Sequence, residues 1–445
     1  MEEHQYSLHA TKDILSWLEE RKNHLEVRLE QITLDECEPW YYDETEGLIR
    51  NRKGTFFQIA GIRLIKADGQ VTEQPIILQD EIGFLGIICC KIKGVWHYLM
   101  QAKIEPGNVN HVQVSPTIQA TKSNFTRQHG GASPAFLEYF LNMQPGNVLV
   151  DQIQSEQSSR FLRKRNRNVI LTVERQIEEP PTHRWMTLAQ IKELMKYDNL
   201  VNMDTRTVLS CMPYVLLGEE GDVPFKDKLY FHRTAGSLDR QTIVNIYHQI
   251  NNYKMFEKGS IEKVPLFAMQ NWKMQNGEFC SGGDYSFKVI FCNIAIEGRE
   301  VNQWKQPLFA ATGIATFGLI CCDDGGILKF LVKVRPEIGC FDGAELGPTV
   351  QKEANDSAPE DNVNQVFWQK LREKKGILVD VLLSEEGGRF YQEQNRNVII
   401  SIEKGELEEL PPGYVWSDYG TLNILTQINN CLNIQLRNLL SILQL

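Results

Sequence analysis

The sequence predicts an α+β protein built as two similar domains in tandem, each a mixed sheet with a few flanking helices. Length, an internal repeat and the order of β-rich and helical segments predict it. A chain of 445 residues, 42% hydrophobic and 23% charged, can bury at least two ordinary cores. "QPIILQDEIGFLGIICC", Gln74 to Cys90, aligns with "QPLFAATGIATFGLICC", Gln306 to Cys322, and the shift of 232 positions holds without a gap to Gln119 and Gln351, with fourteen identities. "VDQIQSEQSSRFLRKRNRNVI", from Val150, matches "VDVLLSEEGGRFYQEQNRNVI", from Val379, at 11 of 21 positions and a shift of 229. Trp185, Asn202 and Arg206 pair with Trp416, Asn433 and Arg437 at a shift of 231. A period this long is a whole domain rather than a solenoid unit.

The elements follow in order. Residues 1–30 carry an amphipathic helix around Ile14, Trp17 and Leu18. The first domain, 31–215, contains "TFFQIAGIRLI", "GFLGIICCKI", "GVWHYLMQA", "GNVLVDQIQ" and "RNVILTVE", short runs rich in β-branched and aromatic residues that predict strands. "SPAFLEYFLNM" predicts a helix with a Ser cap and Pro at its first position, and "TLAQIKELMKYD" a helix behind a Thr cap. Residues 216–260 form a linker, "LGEEGDVPFKDK", and a Ser-capped helix, "SLDRQTIVNIYHQINNYKMFEKG", ending at Gly259. The second domain, 261–445, repeats the pattern, with "NVNQVFWQKLREKKG" as a helix.

Composition narrows the function classes. A net charge of -10 disfavours a nucleic-acid binder that works by phosphate neutralisation, while leaving room for a local basic patch that holds a small anion. The acidic start "MEEHQYSLHATKDILSWLEERK" lacks an apolar h-region, and no stretch has the apolar length to span a bilayer, so a cytoplasmic protein is expected. Ten cysteines, with vicinal pairs Cys89-Cys90 and Cys321-Cys322 inside apolar runs and no zinc spacing, are expected to be buried strand thiols.

The two copies differ most where the first is most polar. "QAKIEPGNVNHVQVSPTIQATKSN" stands against "KVRPEIGCFDGAELGPTVQKEAND", so Gln101, Asn108 and Ser115 face Lys333, Cys340 and Gly347, while Glu105, Gly107, Pro116, Thr117 and Gln119 persist. "RFLRKRNRN" carries Arg163, Lys164 and Arg165 where the second copy has Gln392, Glu393 and Gln394. The scaffold stayed and much of the chemistry left, which points to a working pocket in the first copy.

"LMQAKIEPGNVNHVQVSPTIQATKSNFTRQHGG", "SEQSSRFLRKRNRNVI" and "LVNMDTRTVLSC" resemble signature segments of the NDP-hexose 2,3-dehydratases of deoxysugar biosynthesis, and the resemblance runs over nearly the whole chain. It implies a homodimer whose subunit holds two Nudix-like domains from a duplication, with one competent sugar-nucleotide pocket and one vestigial. It also implies loss of water from C2 and C3 of a dTDP-4-keto-6-deoxyhexose, upstream of an NAD(P)H-dependent 3-ketoreductase. No cofactor is expected, because the substrate's own ketone is the electron sink. Phe125 departs from the tyrosine expected in "SNYTR".

The reaction needs a base near C3, donors at the C4 oxygen and an acid for the leaving hydroxyl. Lys103, as a cation at the enolate, and Glu105, His129 and Glu156, as acid or base, are the catalytic candidates; Glu105 and Glu156 have counterparts in Glu337 and Glu385, which leaves a structural job open for both. Arg127, Arg163, Lys164, Asn166, Arg167 and Asn168 are candidates for the diphosphate. Gln101, Asn108, Gln113, Ser115, Thr117, Gln119, Thr121, Ser123 and Asn124 are candidates for reading sugar and base edges, and each also fits a loop hydrogen-bonder. Trp185 and Trp416 read as core residues. Two alternatives stand beside the dehydratase: a Nudix-like sugar-nucleotide hydrolase, disfavoured because no Gly…Glu…Arg-Glu-x-x-Glu-Glu-x-Gly box is present beyond the fragment "SEEGG", and a non-catalytic sugar-nucleotide-binding protein.

Overall fold

Two seven-stranded sheets repeat one another strand for strand. The computed structural model describes residues 7–24, 26–54, 56–121, 133–214, 238–296, 302–357 and 361–443. In the first copy the order runs Val148–Ser155, Arg165–Val173, Gly83–Ile92, Val95–Ile104, His183–Thr187, with Val112–Ser115 and Ile118–Ala120 added on the two long central strands. In the second it runs Ile377–Ser384, Gln394–Ile402, Thr316–Asp324, Ile327–Pro336, Tyr414–Asp418, with Ala344–Gly347 and Val350–Lys352 in the matching places. Each sheet has one parallel pair, and the register slips at the same place in both, between Val148 and Val150 and between Ile377 and Val379. Thr117 and Thr349 explain their own persistence: each hydroxyl donates to one strand, at Leu99 O or Leu331 O, and accepts from its neighbour, at Ile88 N or Ile320 N.

The other two sheets exchange a strand. Val27–Ile32 crosses to pair antiparallel with Phe287–Ile296, while Ser260–Val264 crosses back to pair with Gln58–Ile65. The copies also interlock through close backbone contacts. Gly107 N donates to Gly387 O and Gly107 O accepts from Gln392 N, just as Gly339 N donates to Ser158 O and Gly339 O accepts from Arg163 N. A Cβ on Gly107 would lie 1.7 Å from Phe390 O, and one on Gly339 would lie 1.8 Å from Phe161 O, so only glycine fits either position. Arg206 and Arg437 are both buried and reach across the junction, donating to Ser384 O at 2.8 Å and Ser155 O at 2.6 Å. The largest hydrophobic core draws on both copies, including the helices Met203–Ser210 and Ile434–Ser441.

The described residues hold eight α-helices. Thr11–Asn23 buries Ile14, Trp17 and Leu18 as its spacing predicts. Leu188–Leu194 carries the Thr187 cap, closed into a capping box by Gln190. Two boundaries differ from expectation. The helix after Ser133 is only Leu137–Leu141, because Phe136 at φ 63 breaks the turn that Pro134 would have started. The linker helix is Arg240–Asn252, capped by Asp239 and continued as a π-turn to Glu257. Among the described residues no helix is long and apolar enough to cross a membrane. The cysteines are free thiols, all buried except the half-buried Cys280.

Candidate active site

A cleft of about 980 Å³ opens where the end of the Val95–Ile104 strand meets residues 386–389 of the second copy. Strand alternation puts Gln101 and Lys103 on the same face, with Glu105 just beyond. Glu105 is only 3% exposed and is gripped from several sides. Lys103 Nζ lies 3.1 Å from its Oε1, Gln119 Nε2 donates to the same oxygen at 3.1 Å, and Gly387 N of the second copy donates to Oε2 at 3.1 Å. Gln119 is held in turn by Asn202 Nδ2 at 3.3 Å. Glu337 keeps the matching chain, from Gln351 at 2.9 Å and Asn433 at 3.0 Å, which accounts for the persistence of the glutamate. The lysine is what the second copy lacks: Arg335, in its place, turns to Pro348 O and Thr349 O.

Five more carboxylates line this cleft: Glu38, Glu81 and, of more consequence, Glu156, Asp204 and Glu386. Glu156 follows the Val148–Ser155 strand and accepts from Asn166 Nδ2, a contact repeated by Glu385 and Asn395 at 2.6 Å. Burial, with the Glu386 charge adding to it, pushes its pKa from 4.5 up to about 7, against the pull of Lys164, Arg437 and Asn166. Asp204 sits in the first turn of Met203–Ser210, behind the Asn202 cap, and is 2% exposed. Burial and then the charges of Glu156, Glu386 and Glu105 hold its carboxyl well above the usual range. Burial raises Glu386 as well, Glu105 adding and Arg389 opposing. Crowded buried carboxyls resist ionising together, so each holds its neighbours toward the protonated form. Lys103, Lys164 and Arg389 supply positive charge, Lys164 donating to Glu81 O with its own pKa lowered by burial.

Nine of the sequence-derived candidates line the cleft: Gln101, Lys103, Glu105, Thr117, Gln119, Thr121, Glu156, Lys164 and Asn166. The hydroxyl of Thr117 is used by the backbone. Asn108, Gln113 and Ser115 are buried away from it. Asn108 packs on Gly387, and Gln113 Nε2 donates to Ser384 Oγ at 2.5 Å, so both serve the junction between copies. Arg163 is exposed, with φ 56 and its backbone N bonded to Gly339 O. Arg167 pairs with Asp151, as Arg396 does with Asp380, and Asn168 donates to Asn166 O, as Asn397 does to Asn395 O; these are bonds of the fold. Ser123, Asn124, Arg127 and His129 lie outside the described residues. Trp185 is fully buried and Trp416 packs against the second core.

Sequence reasoning missed Asp204, Glu386 and Arg389. Asp204 carried a readable signal, since Gln435 stands at its counterpart in the third repeat block. Glu386 and Arg389 carried none, because they belong to the copy whose own polar chemistry had left. Among the described residues no group of three or more His, Cys, Asp or Glu side chains could hold a metal ion.

A family model described as NDP-hexose 2,3-dehydratase matches residues 11–212 and 244–443. The chain is 36% identical over 442 residues to a dTDP-4-dehydro-6-deoxy-alpha-D-glucopyranose 2,3-dehydratase of Saccharopolyspora spinosa, covering 97% of this chain and 90% of the relative. It is 35% identical to the protein of the same description from Streptomyces violaceoruber, with 96% and 95% covered, and 33% identical to that from Amycolatopsis orientalis, with 97% and 89% covered.

Proposed function

The chain belongs to the NDP-hexose 2,3-dehydratase family, and on that premise we propose that it removes water from C2 and C3 of a dTDP-4-keto-6-deoxyhexose to give the 3,4-diketo-2,6-dideoxy sugar. The observation that carries this reading is a cleft lined by Lys103, Glu156 and Asp204, with burial holding both carboxyls above the usual range. The C4 ketone acidifies the C3 proton. Glu156, with a pKa near neutrality, takes that proton, and Lys103 with the donors around it stabilises the negative charge gathering on the C4 oxygen. The electron pair then forms the C2–C3 double bond and expels the C2 hydroxyl, which leaves as water with a proton from Asp204. The resulting enol takes a proton from solvent at C2 and becomes the 3-ketone. Atoms and electrons balance within the substrate, so the step calls for no external oxidant or reductant.

The same reading places the working pocket in the first copy, treats the repeat as an internal duplication of a Nudix-like domain, and takes the enzyme to be a homodimeric cytoplasmic lyase acting before a 3-ketoreductase. The domain division at residues 31–215 and 261–445 goes with it. The test is incubation with dTDP-4-keto-6-deoxyglucose in D₂O, with a 3-ketoreductase to trap the product, followed by mass spectrometry. Loss of 18 mass units and one solvent deuterium at C2 are expected. Recovery of intact substrate, or release of a nucleoside monophosphate instead, would overturn the reading.

A further inference from the structure

Between the cleft and the matching positions of the second copy a charge has changed hands. Thr121 and Lys164 of the cleft correspond to Glu353 and Glu393. Each place also receives an arginine from the opposite copy. Arg389 of the second copy lines the cleft, and Arg160, its counterpart, sits among Glu353 and Glu393. Both guanidinium groups lie over a phenylalanine ring, Arg389 at 4.4 Å from the centroid of Phe57 and Arg160 at 4.1 Å from that of Phe287.

Their anions differ. Arg160 is 2% exposed, with Nη2 at 2.9 Å from Glu353 and 3.8 Å from Glu393. Arg389 is half-buried and donates to neutral acceptors, Gly388 O at 2.9 Å and Gln79 Oε1 at 3.3 Å; no carboxylate stands within ion-pair distance of it among the described residues. Lys164 lines the same cleft with its ammonium on Glu81 O, attracted by the charges of Glu156, Glu81 and Glu386 and repelled by Arg389. Two cations converge in a largely buried space, and among the described residues neither is within ion-pair distance of a carboxylate. The matching positions of the second copy show what such an arginine takes when an anion is close, since Glu353 and Glu393 approach Arg160 there.

We propose that Arg389, delivered by the second copy, holds the diphosphate of the nucleotide sugar in the cleft together with Lys164, and that the Arg160–Glu353–Glu393 cluster fills the matching position of the second copy with the protein's own side chains. This rests on the nucleotide-sugar reading above. A guanidinium fork suits two phosphate oxygens as it suits a carboxylate, and Arg389 is a binding residue rather than a participant in the elimination.

The test is calorimetric titration of the full chain with dTDP. One equivalent per chain is expected to bind. Arg389→Ala is expected to weaken it about 10- to 100-fold, the usual range for a charge-assisted contact, and to raise KM more than it lowers kcat. Arg389→Lys should recover part of the loss. Thr121→Glu, which introduces the carboxylate that Glu353 supplies in the second copy, should weaken dTDP in a background containing Arg389 and have little further effect in Arg389→Ala. Thermal melts report whether each variant is folded. Arg389→Ala binding dTDP within twofold of the parent chain would overturn the proposal and leave the dehydratase reading intact. Two equivalents per chain would overturn the filled position of the second copy. A parent chain that binds no dTDP would remove the nucleotide-sugar reading and this proposal with it.

Discussion

Glu156→Gln separates the electrostatic cost of the cleft from its chemistry. Burial lifts the folded-state pKa of Glu156 from 4.5 to about 7, so between those values the folded chain keeps a proton that the unfolded chain has released. The sign follows directly: stability is lost as pH rises through this window, the reverse of a salt-bridged carboxylate. The difference of about 2.5 pH units, at 1.36 kcal/mol each, corresponds to about 3 kcal/mol in the limit of pH well above 7. Glutamine preserves an acceptor for Asn166 and cannot ionise. The expectation is therefore a variant whose stability relative to the parent rises by about 3 kcal/mol between pH 4.5 and pH 8, while its turnover falls roughly 10²- to 10⁴-fold. Urea unfolding of both proteins at the two pH values, beside a turnover assay, measures both. A stability difference that is the same at pH 4.5 and pH 8 would refute the assignment of a raised pKa to Glu156, and unchanged turnover would remove it from the proton transfer.

Three further outcomes are expected. Lys103→Ala should keep the fold, because the lysine is partly exposed beside Glu105, yet lose turnover by roughly 10²-fold or more; steady-state kinetics showing an unchanged kcat would contradict its place at the enolate. Gly107→Ala should destabilise the chain by about 2 kcal/mol or more, since its Cβ meets Phe390 O at 1.7 Å, whereas Gly146→Ala, with nothing within 4 Å, should not; equal melting temperatures for the two would show that the junction yields easily. Thr117→Val leaves Ile88 N and Leu99 O without their shared hydroxyl and should cost about 1–3 kcal/mol in urea unfolding at unchanged KM. A raised KM with unaltered stability would instead make Thr117 a ligand contact.

Nine of the residues picked out by reading the repeat against itself share one cleft of the first copy. The divergence at Lys103 and Lys164 marks residues that line the cleft, and the persistence of Glu105, Thr117 and Gln119 marks the hydrogen-bonded frame that both copies keep. Arg163 and Arg167, picked out with them, do not line the cleft. Adjacent residues of the Arg165–Val173 strand and its approach alternate in direction, so a basic run delivers one cation to the cleft and sends others to the surface. Glu386 and Arg389 were invisible for a different reason. Their partners lie some 280 positions away, and no local pattern of hydrophobicity or capping records which loop will close which cleft. The exchanged strands Val27–Ile32 and Ser260–Val264 share that character: each has a pattern fit for a sheet, but the pattern does not name the sheet.

That exchange has a consequence for how the two halves can change over time. Each half finishes a sheet of the other, so neither can be discarded or shortened without baring an unpaired strand edge, a template for aggregation. If, as proposed, only the first half does the chemistry, the second half can vary at Arg335, Glu353 and Glu393 while its backbone remains indispensable. Chemistry and architecture would then answer to different constraints, the one held by a few side chains and the other by the crossing of two short strands.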